Sequence, residues 1–272
     1  MLAFAVLVLY LLATALLAAG PRTPPVVRLV LPWLAALLHA AALAAHSVAL
    51  GAYDAELFQV LSQSAWLMVL ILLVDARRDP ALLTPGMVIF PGAALWVGLA
   101  AWTPVGAAPL ALGGTGVIVH VISSLLAFGL LANCTVLALV TAAQEHVLRR
   151  HQARPWMQSL PPLIRLERLL FRLLAAGWLA LTAALGSGLL FVHDLFAQHL
   201  VHKTILSFVA WLVFAGLLFG RWRYGWRGRT AVRLTLAGML FLLLAYFGSK
   251  FVLELLLDRS WQITSAPNFL LR

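Results

Sequence analysis

The stretch LLFVHDLFAQHLVHKTILSFVAW, residues 189–211, sets three histidines, an aspartate and a lysine between two long apolar runs. Polar groups beside hydrocarbon are costly, so such a cluster belongs in a connection between membrane-spanning helices. Read outward from this connection, the whole chain repeats the pattern. Apolar runs fall at about 2–19, 30–50, 57–74, 86–102, 115–141, 169–192, 200–220 and 231–256. Each is long enough to span, or nearly span, a bilayer as a helix, and none shows the two-residue alternation of a barrel strand.

Composition agrees. The 272 residues are 63% hydrophobic and 10% charged, where a soluble domain carries roughly 25% charged residues. The expected fold is therefore all-α: a polytopic membrane helix bundle of about eight transmembrane helices, forming a single integral membrane domain over residues 1–272. Pro85, Pro91 and Gly92 predict an irregular start to the fourth helix. The first run has no Lys or Arg before Arg22, so it lacks the basic start of a secretory signal and is read as a retained helix.

The net charge of +10 is scattered through short loops between apolar runs. That distribution is a topology signal and gives no reason to invoke nucleic acid. One set of alternate loops holds Arg22 and Arg28, Arg77 and Arg78, the six arginines between Arg149 and Arg172, and the five between Arg221 and Arg233. The other holds Lys203, Lys250, Arg259 and Arg272. Fifteen basic residues against four predict that the first set is cytoplasmic and that both termini face outward.

Cys134 is the only cysteine. It excludes an intrachain disulfide and a C-x-x-C-H haem attachment, and its apolar surroundings suit a buried small side chain. No chain of intramembrane carboxylates supports a pump. Lys250 and Glu254, four apart, read as a local ion pair. No H-E-x-x-H supports a metal hydrolase.

The histidines carry the remaining chemistry. His39 and His46, seven apart, project from one face of one helix. For His46 a hydrogen bond is the simpler reading. For His39, deep in the span, an interhelical hydrogen bond and an axial haem ligand both stand. His120 opens the fifth helix after GGTGVIV, where glycines permit close approach of backbone or ligand. His193 closes the sixth helix, and His199 and His202 open the seventh. Imidazoles of this kind could take copper or zinc, or ligate haem within an aromatic slot.

Five ordered pieces resemble one family: VIVHVISSLLAFGLLA at 117–132, LPPLIRLERLLF at 160–171, GSGLLFVHDLF at 186–196, HKTILSFVAWLVFAGLLFGRW at 202–222 and GWRGRTAVRLTLAGMLFLLLAYFGSKFV at 225–252. Over about residues 1–257 the chain resembles the transmembrane cytochrome c assembly superfamily, in its CcsA-like and HemX-like branch, which includes YpjD-type inner-membrane proteins. The resemblance implies a multi-pass protein of the bacterial inner membrane that is not an enzyme. Its expected function is binding haem non-covalently at the outer face, in cytochrome c assembly or haem handling. His120 matches the family's outer haem-ligating histidine, and His39 and His193 match histidines of the YpjD-type branch. Because helix six ends and helix five begins at the same outer depth, the expected iron ligands are His120 and His193, with His199 and His202 supporting them or contacting the propionates, and His39 at a separate deeper site or in a structural bond. Expected partners are the lipid bilayer, haem and other cytochrome c assembly proteins.

Three departures are visible, one of them that the region around Phe219 carries no histidine where a membrane histidine near the end of helix seven would be. HDLFAQHLVHKT, residues 193–204, stands where a tryptophan-rich W-G-x-x-W-x-W-D segment would be, and no histidine follows the last helix. They motivate two other readings: a membrane scaffold or partner subunit that has lost haem binding, and an outer copper or zinc site at His193, His199 and His202.

Overall fold

The computed structural model describes residues 1–20, 24–103, 109–110, 114–150, 161–191 and 201–248. Eight α-helices follow one another: α1 Leu2–Ala18, α2 Pro25–Leu50, α3 Leu57–Ala76, α4 Gly86–Ala100, α5 Thr115–Arg149, α6 Leu163–Phe191, α7 Val201–Tyr224 and α8 Arg229–Leu243. A π-helical turn, Leu244–Gly248, extends α8. The all-α membrane bundle is thus present, but the expectation of eight full spans needs correction. Among the described residues six helices are long and apolar enough to cross a membrane. The others, α1 with 17 residues and α4 with 15, would rise only about 26 and 23 Å, against a hydrocarbon core of about 30 Å.

The start of α4 is irregular, as its prolines predict. A 3-10 turn at Pro80–Leu83 is capped by Asp79, whose side chain accepts from the Ala81 amide, and Pro85 then stands at the N-cap of α4. Pro91 is carried inside the helix.

Burial divides the helices into two cores. Val6, Tyr10 and Ala13 of α1 pack with Ala35, Ala36, Val69, Leu73, Phe90 and Ala93 from α2, α3 and α4. Leu131 and Leu137 of α5 pack with Leu170, Leu174, Ala210, Phe214, Leu217 and Leu242 from α6, α7 and α8. The halves meet along α3 and α5, and Met68 packs against both cores. At this seam Asn133 donates from Nδ2 to the Met68 carbonyl at 3.1 Å. A side-chain amide bonded to a backbone carbonyl of a neighbouring helix is a favourable contact where no water competes.

Polar contacts define two ends. At one end Arg165 pairs with Asp79 at 2.9 Å, Arg172 pairs with Asp75, and Glu167 accepts the Gly228 amide at 3.1 Å. This is the arginine-rich end. At the other, a two-residue antiparallel ladder joins β1, Tyr53–Asp54, to β2, Pro109–Leu110. Tyr53 donates to Gln63 Oε1 at 2.7 Å there. Burial, with the charges of Tyr246 and Asp54 adding, pushes Tyr53 up to about 12, which keeps it a neutral donor.

The pairs from α6 to Asp75 of α3 and to Asp79 just beyond it hold the two halves in register. Asp75 is nearly buried while Arg172 is half exposed. Asp75→Leu should therefore lower the stability of the detergent-solubilised protein by about 1–2 kcal/mol. Thermal melting at low and high salt checks this, with the deficit shrinking as salt rises.

Candidate functional site

His120 lies in the second turn of α5, half-buried against the last turns of α6. Its Nδ1 is 2.9 Å from the Ala184 carbonyl oxygen. A carbonyl only accepts, so Nδ1 carries the proton and donates. In the neutral ring this leaves the lone pair on Nε2, the tautomer a metal-ligating imidazole needs. Ser187 supports the same carbonyl, donating to it at 3.1 Å, and lies 3.5 Å from Nδ1. Gly188 gives the ring its seat. A Cβ at this position would stand 3.1 Å from His120 Cε1 and 3.3 Å from Nδ1. Gly188 thus lets the imidazole approach α6 closely, beside the adjacent Ser187. Near it in sequence, Val119 and Ile122 of α5 and Leu189 and Leu190 of α6 expose large apolar side chains.

His39 is in a different setting. It is 1% exposed in the core of the first half. The Tyr10 hydroxyl is 3.2 Å from its Nδ1 and the Ser62 hydroxyl 3.0 Å from its Nε2. Both ring nitrogens are engaged, so the imidazole ties α1, α2 and α3 together. A cavity of about 140 Å³ opens beside it, with His46, Gln59 and Ser62 among its walls. His46 bonds through Nε2 to Asp54 Oδ2 at 2.8 Å, so the hydrogen bond expected to another helix goes instead to β1, just after its own helix.

His193 and His199 lie outside the described residues, as do the Lys250–Glu254 pair and the side chain of His202. Among the described residues no group of three or more His, Cys, Asp or Glu is placed to hold a metal ion. Cys134 is fully buried, with Sγ 3.5 Å from the Leu170 carbonyl, which is the buried role expected of it.

Several partners were not visible in the sequence. Tyr10 and Ser62 lie 29 and 23 residues from His39, and Ala184 contributes only its backbone. The glycine pattern at 186–188 was the one available signal.

A family model described as Cytochrome C assembly protein matches residues 25–257. The chain belongs to this family. The cytochrome c assembly family comprises non-catalytic membrane factors. Over 141 residues the chain is 38% identical to the inner membrane protein YpjD of Escherichia coli K12, covering 52% of this chain and 53% of that protein. It is 37% identical over 155 residues to a 28.8 kDa protein of Azospirillum brasilense, described by its place in a nifR3-like 5' region, covering 55% and 57%. The chain thus spans about half the length of the curated relatives it matches. No solved structure matches it significantly. The helix-rich polytopic build and the kinship to an inner membrane protein place this family member in the inner membrane, crossing it several times.

Proposed function

We propose that the protein binds haem non-covalently at the outer face of the inner membrane and serves cytochrome c assembly or haem handling there. The observation that carries this reading is the tautomer of His120. Its Nδ1 proton is held by the Ala184 carbonyl, so Nε2 is the free donor atom of a ring seated on Gly188. A second-sphere hydrogen bond of this kind orients an imidazole for iron. Apolar surface beside the ring would add affinity for a porphyrin in this proposal. In this proposal His120 and His193 would hold the iron and His202 would contact the cofactor. Haem, when bound, supplies a redox-active iron. The chain's own part is to orient the imidazole and exclude water. Other cytochrome c assembly proteins are the partners this role implies.

An absorption spectrum of the protein purified in mild detergent tests the proposal. A Soret band that shifts on reduction is the expected result. Protein that carries no haem, and takes up none on addition, leaves the scaffold reading in its place. The saturated hydrogen bonding of His39 favours that second reading for the first half of the bundle. Metal analysis of the same sample addresses copper or zinc at His193, His199 and His202.

The outward placement rests on the fifteen-to-four distribution of basic residues. α1 and α4, although short, run antiparallel along each other, with Leu17 at Gly86 and Leu7 at Gly98. From the basic residues we infer that both termini face outside. Reporter fusions after Arg154 and Arg229 should read as cytoplasmic and one after Ala197 as external. An external reading at Arg154 would move His120 to the cytoplasmic face and end the proposal in this form.

A further inference from the structure

The arginine-rich end has a feature that neither haem nor topology explains. Where α5 ends and α8 begins, a groove of about 290 Å³ opens, with Glu145, His146 and Arg149 on one wall and Arg229 and Arg233 on the other. Its single carboxylate, Glu145, is engaged by Arg149 at 2.6 Å. Arg229 and Arg233 have no carboxylate partner among the described residues.

The positions of these two arginines are the wrong ones for helix stability. His146 and Arg149 occupy the last turn of α5, where cations complement the helix dipole. Arg229 is the first residue of α8 and Arg233 follows one turn later, at the positive end. No acidic residue lies in that first turn and Gly228 at the N-cap offers no capping side chain, although the Glu167 carboxylate of α6 accepts the Gly228 amide at 3.1 Å. Two guanidinium groups at a positive helix end outnumber that carboxylate, and an anion in the groove would offset the excess charge. A bias of positive charge toward the cytoplasm accounts for arginines in the loops. It does not account for their convergence on one groove from helices about 80 residues apart in sequence.

The walls below the groove indicate what carries the anion. On α5, Leu139 stands seven residues before His146 and is exposed; on α8, Leu240 stands seven after Arg233 and is exposed. Seven residues is two turns, so each leucine continues the face of its charged residue toward the membrane interior. A basic groove at headgroup depth above an apolar strip matches a phospholipid, with its phosphate among the guanidinium groups and an acyl chain along the strip.

We propose that this groove is a binding site for the phosphate of an anionic phospholipid, held chiefly by Arg229 and Arg233. Native mass spectrometry of the detergent-purified protein tests it, with phosphatidylglycerol and phosphatidylcholine supplied at equal mole ratios. The wild type should retain phosphatidylglycerol about tenfold over phosphatidylcholine, and R229Q/R233Q should lose most of that preference. R223Q/R227Q, which removes two charges at the same end but outside the groove, should keep it within about twofold. If the double groove variant misfolds, Arg233→Gln alone is read in the same way. Equal retention of the two lipids by the wild type, or an equal loss in R223Q/R227Q, overturns the site. Displacement of phosphatidylglycerol by millimolar inorganic phosphate overturns the lipid as the source and makes a soluble phosphate the ligand of the same groove.

Discussion

His120→Ala should remove most of the haem that the wild-type protein carries after purification, while leaving the bundle folded. The side chain is only half-buried, and its main polar contact is a single hydrogen bond to a carbonyl that Ser187 also supports. Its loss therefore costs the fold about 1 kcal/mol. Its loss to the cofactor is much larger, because axial coordination and the fixed ring orientation go together. Gly188→Val separates the two effects. A Cβ there already reaches 3.1 Å from Cε1, so the larger side chain must push the ring off its seat. The expected result is a shifted spectrum with a smaller loss of haem. Ser187→Ala should change little. A Soret band of wild-type intensity and position in His120→Ala would show that the iron is held elsewhere.

The largest effect on folding is expected from His39→Leu. Leucine is close to histidine in size but makes no hydrogen bonds, so the Tyr10 and Ser62 hydroxyls would both be left unpartnered beside it. Two stranded hydroxyls cost about 2–4 kcal/mol together. The detergent melting temperature should fall by several degrees. Adding Tyr10→Phe and Ser62→Ala should recover part of the fall, because apolar groups then face one another. If His39→Leu melts like the wild type but loses a haem signal, the residue is a ligand and its hydrogen bonds rearrange on binding.

Hydropathy located every helix, since each apolar run became one. It misjudged their ends where a helix leaves the hydrocarbon and turns amphipathic. For α6 the segment SLPPLIRLERLLFRLL reads as an interfacial entry after Pro161 and Pro162, and the helix does begin at Leu163, six residues before its apolar run, with Leu166, Leu169 and Leu170 facing the core and Arg165 and Arg168 facing out. α5 likewise continues past residue 141 to Arg149, with the Glu145–Arg149 pair on its surface. Length counts for less than expected in α1 and α4, which pack on each other although both are short. The candidate site was legible only as a histidine at a helix start. The Ala184 carbonyl that fixes its tautomer, and the tie from Asp75 to Arg172 across 97 residues, depend on which helices become neighbours, and local pattern carries no record of that.

The division into two cores bears on how the protein is made. Helices α1 to α4 bury Tyr10, Leu73 and Phe90 among themselves, so a nascent chain can close this half before α5 is synthesised. α5 then enters the bilayer beside a finished surface, and the amide of Asn133 finds the Met68 carbonyl already in place. Synthesis stalled between α4 and α5 would thus leave a packed four-helix intermediate on which the second half is later laid down.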